Sequence, residues 1–279
     1  MKRSTFTFDL PNELIAQHPL KERDGARLLV VDAVNGHLRH SHIRQLPEWI
    51  PDGALLVPND VKVRRARLFL RRTGGGGGEA LLLKSLRDNR FEALVRPAAR
   101  LRPKKRASVI DPTDGSVIAE LVVETELDDG LRIIQLRGDA PFDWEAVDSI
   151  GHLPLPPYIQ HSAGVEDNDR YQTIFHSQYG EAVAAPTAGL HFTPELIDKL
   201  EQKACLWRPV CLHVGLGTFR PMTAEDIEDH AMHEERYEIP EATARELEYV
   251  LQHRSRELMT IGTTSLRTLE AAWDGLNLN

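Results

Sequence analysis

Residues 182–221, AVAAPTAGLHFTPELIDKLEQKACLWRPVCLHVGLGTFRP, decide the expected fold. AVAAPTAGLHF is a loop of small residues that closes on His191 and Phe192. Thr193 is placed to cap a helix, with Pro194 at the first helical position, where a missing N–H leaves nothing unsatisfied. PVCLHV reads as a buried strand, and Gly215 and Gly217 let the backbone turn sharply beyond it. Loop, helix, strand and loop in that order predict an α/β unit whose two loops are held against something.

Working outward, EATARELEYVLQHRSREL is a helix with Leu247, Val250 and Leu251 on one face. LMTIG reads as a buried strand, and TTSLRTLEAAW as a helix starting at a Thr/Ser pair. Thr223 and Asp226 fit a capping box ahead of IEDH. From residue 182 onward the rhythm is β/α with non-local strands, as in a parallel sheet or a (β/α) barrel. On the N-terminal side, RLLVV and HLRHSHI flank Asn35-Gly36 as a hairpin. PEWI is a short helix and Pro51-Asp52-Gly53 a turn. ALLVP is a strand that delivers Asn59 and Asp60 to a loop.

The stretch VKVRRARLFLRR is strand-like, with Val61, Val63, Leu68 and Leu70 at period two. Residues 74–78 are five glycines, expected as a mobile loop; they lack the spacing and the terminal Gly-Lys-Ser/Thr of a phosphate loop. EALLLKSL, RFEALVRP, SVIAELVVET and GLRIIQLRG follow, with turns at Asp88-Asn89, Asp114-Gly115 and Asp129-Gly130. Short strands at this spacing predict a small antiparallel barrel or sandwich, over residues 65–140. After it, Phe142, Val147 and Ile150 line a short helix, Pro154, Pro156 and Pro157 make a stiff connector, and 169–175 opens another helix.

The 279 residues are 41% hydrophobic and 27% charged, which suits a globular chain with a sizeable core. No apolar run is long enough for a membrane span, and MKRSTFTFDLP lacks the apolar core of a signal peptide. Two cysteines, Cys205 and Cys211, suggest a reduced, cytoplasmic protein. The formal net charge is −8, but residues 62–106 hold fifteen Lys or Arg against Glu79, Asp88 and Glu92. That segment is +12 and the remainder −20, so a polyanion can be attracted locally; a solvated basic face is the plain alternative.

IGTTSLRTLEAA sets a glycine and three hydroxyls at a helix start, where free N–H groups favour an anion; simple capping by Thr264 or Ser265 competes with that reading. Arg267, in the first turn, is unfavourable there unless it meets an anion. His191, His213, His230 and His233 are the proton-transfer candidates. His230 and His233 would share a helical face, but the zincin spacing is absent, so no metal is expected. A metal-dependent hydrolase using His213, His230 and His233 is one alternative function.

Taken together, FDLPNELIAQHP, GALLVPNDVKVRRARL, GHLPLPPYI, YQTIF, AVAAPTAGLHFTPEL, LHVGLGTFRP, DHAMHEE and IGTTSLRTLEAA resemble the S-adenosylmethionine:tRNA ribosyltransferase-isomerase family of the queuosine pathway. The resemblance runs in order along almost the whole chain. It implies an α/β barrel-like catalytic domain, residues 1–64 and 141–279, with a small basic β-barrel domain, 65–140, inserted. The implied reaction moves the ribosyl part of S-adenosylmethionine to 7-aminomethyl-7-deazaguanine at the wobble position of a tRNA with a GUN-type anticodon. The product is epoxyqueuosine, with adenine and methionine released. S-adenosylmethionine is then a co-substrate and no further cofactor or membrane is involved.

By the same resemblance the loops that carry these residues face the active site; from the residue types, His191 and His213 are then expected to serve proton transfer or orient the adenine, and His233 with Glu234 to form a second pair near the sugar or amine. Thr263, Thr264 and Arg267 hold a carboxylate or phosphate. Gly215 and Gly217 allow close backbone approach. Asn59, Lys62, Arg64, Thr187, Gly189, Thr218, Phe219 and His230 complete the substrate-binding set, with the basic insert and VKVRRARL on the anticodon arm. Two departures are visible. Asp60-Val61-Lys62-Val63 stands where the family has Asn-Thr-Arg-Val, and lysine cannot reproduce arginine's bidentate contacts. The family's polar TNFHLP-like segment and closing helices have no counterpart before Asn279. A noncatalytic or inactive truncated tRNA-binding homologue is therefore the second alternative.

Overall fold

The computed structural model describes residues 1–279 apart from 162, 178–181, 216–221, 223, 231–233 and 274–279. Strands β1 (Arg27–Val31) and β2 (Leu38–His42) form the expected hairpin, and α1 (Leu46–Trp49) leads to β3 (Leu55–Pro58). Every residue of β3 is buried. Its unbroken apolar run suits a strand covered on both faces, where successive side chains point opposite ways. Leu56 packs with Phe192, Leu196 and Leu200 on one side. Leu55 and Val57 pack with Val210, Leu247 and Leu269 on the other.

The insert is a closed barrel of six antiparallel strands: β4 (Arg67–Arg72), β5 (Gly77–Ser85), β6 (Arg90–Arg96), β7 (Arg106–Ile110), β8 (Val117–Glu126) and β9 (Arg132–Arg137), in the order β4-β5-β6-β9-β8-β7. Alternate residues such as Leu68, Leu70, Phe91, Leu121, Ile134 and Leu136 fill its interior. Three expectations need correction. The strand begins at Arg67, because Val61 and Val63 are buried in the α/β body and Val63 makes only an isolated bridge to Ala182. Gly77 and Gly78 are strand residues; a Cβ on Gly78 would stand 2.8 Å from the Arg96 carbonyl oxygen, so close strand approach explains this glycine. And β7, RASVI, went unread, although it closes the barrel between β4 and β8.

Arg67 and His152 exchange backbone hydrogen bonds of 3.0 and 2.8 Å, so the chain enters and leaves the barrel at one point. Beside this neck, α2 (Trp144–Ile150) is capped by Asp143, whose side chain accepts from the Ala146 amide. Its Trp144 meets Phe91 edge-on at 5.6 Å inside the barrel core. Then α3 (Val165–Arg170) ends where a helix was expected to open at 169–175. Helix α4 (Pro194–Gln202) has the expected cap, with Thr193 Oγ1 accepting from the Leu196 amide.

Strands β10 (Leu206–Trp207), β11 (Cys211–Leu212) and β12 (Tyr237–Glu238) precede α5 (Glu241–His253), β13 (Leu258–Ile261) and α6 (Thr263–Ala272). β10 and β13 both pair in parallel with β3, giving a sheet in the order β10-β3-β13, while β11 pairs with β12. As an edge strand β13 is half-buried rather than buried. Asp226 precedes a 3-10 turn, Ile227–Asp229, instead of standing inside a helical capping box; Thr223 lies outside the described residues. Both cysteines are free and buried. Among the described residues no helix is long and apolar enough to cross a membrane.

Candidate active site

Parallel strands β10, β3 and β13 end at the same edge of their sheet, the side on which open α/β sheets bind ligands. A cavity of about 560 Å³ lies there, walled by residues 184–188, Val214 and residues 262–264. It brings the small-residue loop against the start of α6, the two stretches the sequence singled out. A second cavity of about 380 Å³ adjoins it and shares Pro156, Tyr158, Tyr171 and Thr187. His18, Arg23, His161 and His191 also line this second space. Both volumes fall in the range that small-molecule sites occupy. Tyr171 forms the shared wall; burial pushes its phenol up to about 12, so it stays protonated.

The first turn of α6 is uncapped. Gly262 occupies the cap position at φ 92° with no side-chain cap bond. The Leu266 amide donates to the Gly262 carbonyl, so the amides of residues 263–265 have no helical acceptor. The capping expected of Ser265 is absent, since its Oγ donates to the Ile261 carbonyl. Thr264 Oγ1 is buried and without a hydrogen-bond partner among the described residues. A buried hydroxyl in that state is held for an incoming group or is a standing penalty.

Arg267 does meet an anion, and the anion belongs to the protein. Its Nη1 donates to Glu235 Oε2 at 2.5 Å, and the Gly215 amide donates to Glu235 Oε1 at 2.9 Å. The Glu235 side chain is 3% exposed. This carboxylate therefore ties the glycine loop after β11 to the helix that walls the cavity. Sequence reasoning chose Glu234, which is exposed. Nothing local separates two adjacent glutamates; only the fold turns one inward.

The remaining expected residues scatter. Thr187 lines both cavities and His191 the smaller one, its Nδ1 3.4 Å from the Arg23 carbonyl oxygen. His213 lines neither of these two; its Nε2 sits 3.9 Å from Cys211 Sγ and 3.7 Å from Glu238 Oε1. Strand alternation explains this, because Val214 is the residue that reaches the larger cavity. Neither of the two cavities brings His191 and His213 together among the described residues. Gly189 packs against Phe175 and Thr173. His230 closes the Ile227–Asp229 turn and shares no described helix with His233. His233, Gly217, Thr218 and Phe219 lie outside the described residues.

Asn59 is 1% exposed, and its Oδ1 accepts from the Val61 and Leu212 amides, so it braces β3 against β11. Arg64 is bound to Asp148 at 2.7 Å, with Lys62 Nζ 4.0 Å from the same oxygen. These cations fasten α2 at the neck. Among the described residues no group of three or more His, Cys, Asp or Glu is placed to hold a metal ion.

Asp60, next to Asn59 at the end of β3, is a partly buried carboxyl. Burial raises its carboxyl from 3.8 to about 6, against a Ser177 hydrogen bond and the nearby His176. The folded protein thus retains a proton that the unfolded chain releases between pH about 4 and 6, and Asp60's contribution to stability falls as pH rises through that window. Asp60→Asn does not titrate. Its stability relative to the wild type is expected to improve between about pH 4 and pH 7.5 in urea unfolding; a difference that stays constant across that range would refute the assignment.

The chain matches the family described as "Queuosine biosynthesis protein" over residues 3–278. It is 41% identical over 278 residues to an S-adenosylmethionine:tRNA ribosyltransferase-isomerase of Treponema denticola, covering 98% of this chain and 78% of that protein. A Staphylococcus haemolyticus protein of the same description is 42% identical over 271 residues, covering 97% and 76%. A crystal structure of S-adenosylmethionine tRNA ribosyltransferase from Thermotoga maritima is similar at 30% identity, covering 95% of this chain and 72% of that one, with a TM-score of 0.43. The chain belongs to the queuosine biosynthesis protein family.

Proposed function

We propose that the two adjoining cavities are where this chain moves the ribosyl part of S-adenosylmethionine onto 7-aminomethyl-7-deazaguanine at the wobble position of a GUN-type tRNA, giving epoxyqueuosine. S-adenosylmethionine:tRNA ribosyltransferase-isomerase activity follows from the family, with S-adenosylmethionine as co-substrate and tRNA as acceptor. The observation that supports placing it here is the larger cavity itself. It sets a threonine hydroxyl without a partner among the described residues, and helix-start amides without a helical acceptor, opposite the small-residue loop.

The sulfonium of the donor acidifies its 5′ carbon, so a modest base suffices to remove a proton there. Adenine departs with a proton, the amine of the modified base attacks the sugar and loses a proton, and methionine leaves last as a sugar oxygen closes the epoxide on the carbon that held the sulfur. The amides of residues 263–265, with Thr263 and Thr264, take the donor carboxylate or an RNA phosphate. His191, in the smaller cavity, handles a proton or orients the adenine. Arg267 acts through Glu235 rather than on the substrate directly. The α/β body, residues 1–64 and 141–279, carries this chemistry, and the basic insert at 65–140 contacts the RNA. A tRNA substrate places the protein in the cytoplasm.

The test is adenine release from S-adenosylmethionine in the presence of tRNA carrying the deazaguanine precursor. Thr264→Val keeps the side-chain shape and removes a hydroxyl that bonds to none of the described residues. Its stability is expected within about 1 kcal/mol of the wild type, while adenine release falls roughly 10- to 100-fold, the worth of a hydrogen bond to a charged group. Wild-type turnover in this variant removes Thr264 from the site.

A further inference from the structure

We propose that the outer end of the β-barrel, capped by the connection between β6 and β7, binds RNA phosphates well away from the chemistry. This rests on tRNA being the substrate. Residues 96–106, RPAARLRPKKR, carry six basic side chains and no acidic one. β6 and β7 lie three strands apart either way around the closed barrel, so their connection must cross its mouth. Leu101, 1% exposed, drops from the middle of that crossing into the barrel core. Plugging the mouth with Leu101 leaves its neighbours Arg100, Arg102, Lys104 and Lys105 exposed on the outside. Among the described residues none of these four has a carboxylate within 4.0 Å, whereas Arg96 and Arg106 reach Glu79 and Glu120.

The strand directions place this cluster at the far end. The chain joins the α/β body through Arg67 and His152, and Phe142 is bonded to Asn89 of the turn between β5 and β6 at the near end. The opposite end carries the 96–106 crossing and the glycine turn at 73–76, which Thr73 Oγ1 fastens to the Arg106 carbonyl. Strands of this length separate the two ends by about 20–30 Å. The turn between β8 and β9 brings Asp128 and Asp129 to the same rim. The rim is thus basic on one flank and acidic on the other, which lets a phosphate backbone lie in one orientation only.

The experiment combines Arg102→Glu, Lys104→Glu and Lys105→Glu, with the three-glutamine version as a second variant in case the first folds poorly. Circular dichroism and the urea midpoint confirm folding. With tRNA carrying the deazaguanine precursor, KM for tRNA is expected to rise about tenfold or more. The dependence of log Kd on log salt becomes shallower by about two to three units, roughly 0.9 for each lost phosphate contact. KM for S-adenosylmethionine does not follow. The same reversal elsewhere, by Lys199→Glu, Arg245→Glu and Arg254→Glu, with a three-glutamine version to match the second variant, changes tRNA affinity by about twofold at most, as distant screened charges do. A folded rim variant with wild-type tRNA KM and salt slope, or a control variant that loses as much, overturns the assignment while leaving the activity standing. A wild-type protein that neither binds tRNA nor releases adenine overturns the functional reading and this surface with it.

Discussion

Arg267→Ala is expected to destabilise the protein by about 3–5 kcal/mol, because it strands a buried carboxylate. Glu235 is 3% exposed and, among the described residues, is satisfied by two groups, the Arg267 guanidinium and the Gly215 amide. Removing the first leaves one neutral donor against a full buried charge. Glu235→Ala is milder, since Arg267 is 38% exposed and water can reach it; the loss there is the orphaned amide, about 1–3 kcal/mol. The double variant should therefore be more stable than Arg267→Ala alone. Urea unfolding of the four proteins measures the coupling, and additive effects would mean that the two side chains do not depend on each other. Adenine release should fall in all three variants, because the pair fixes the glycine loop relative to the wall of the cavity.

Gly151→Ala is the other change expected to be severe. An added Cβ would sit 1.8 Å from the Arg65 carbonyl oxygen and 2.9 Å from that of Val147. Both obstacles are main chain, so neither can swing aside as a side chain would. Overpacking commonly costs 1–3 kcal/mol, and a backbone collision belongs at or above about 3. The displacement falls on the neck, where Arg65 N and Arg64 Nη1 bind Asp148 at 2.9 and 2.7 Å. The expected signature is a lowered urea midpoint together with faster protease cleavage near the junction. A midpoint within about 0.5 kcal/mol of the wild type, the range of innocuous surface changes, would show that the segment relaxes freely.

Most of the fold was legible where a local rule acts alone. Thr193-Pro194 starts α4 as its chemistry requires, and Asp88 and Asn89 both take the positive φ of a hairpin turn. Failures came where a distant partner decides. RASVI is an unremarkable strand until β4 and β8 bracket it, and Gly78 belongs to a strand because Arg96 passes so close. The site divides in the same way. Thr264 and Thr187 reach the cavity because loops and helix starts present their side chains at the sheet edge. His213 was placed on the correct side relative to Cys211, yet that side faces Glu238. Glu235 and Tyr171 were passed over because their importance lies in burial against residues far along the chain.

The neck at Arg67 and His152 has a consequence for how such proteins diversify. Since the outgoing and returning backbones are bonded to each other there, the α/β body meets the whole lobe as though it were one hairpin. The lobe can be lengthened, trimmed or given new surface charge without re-threading any other element. The lobe's surface is then free to drift in one part of the gene while the residues around the cavities stay fixed in another.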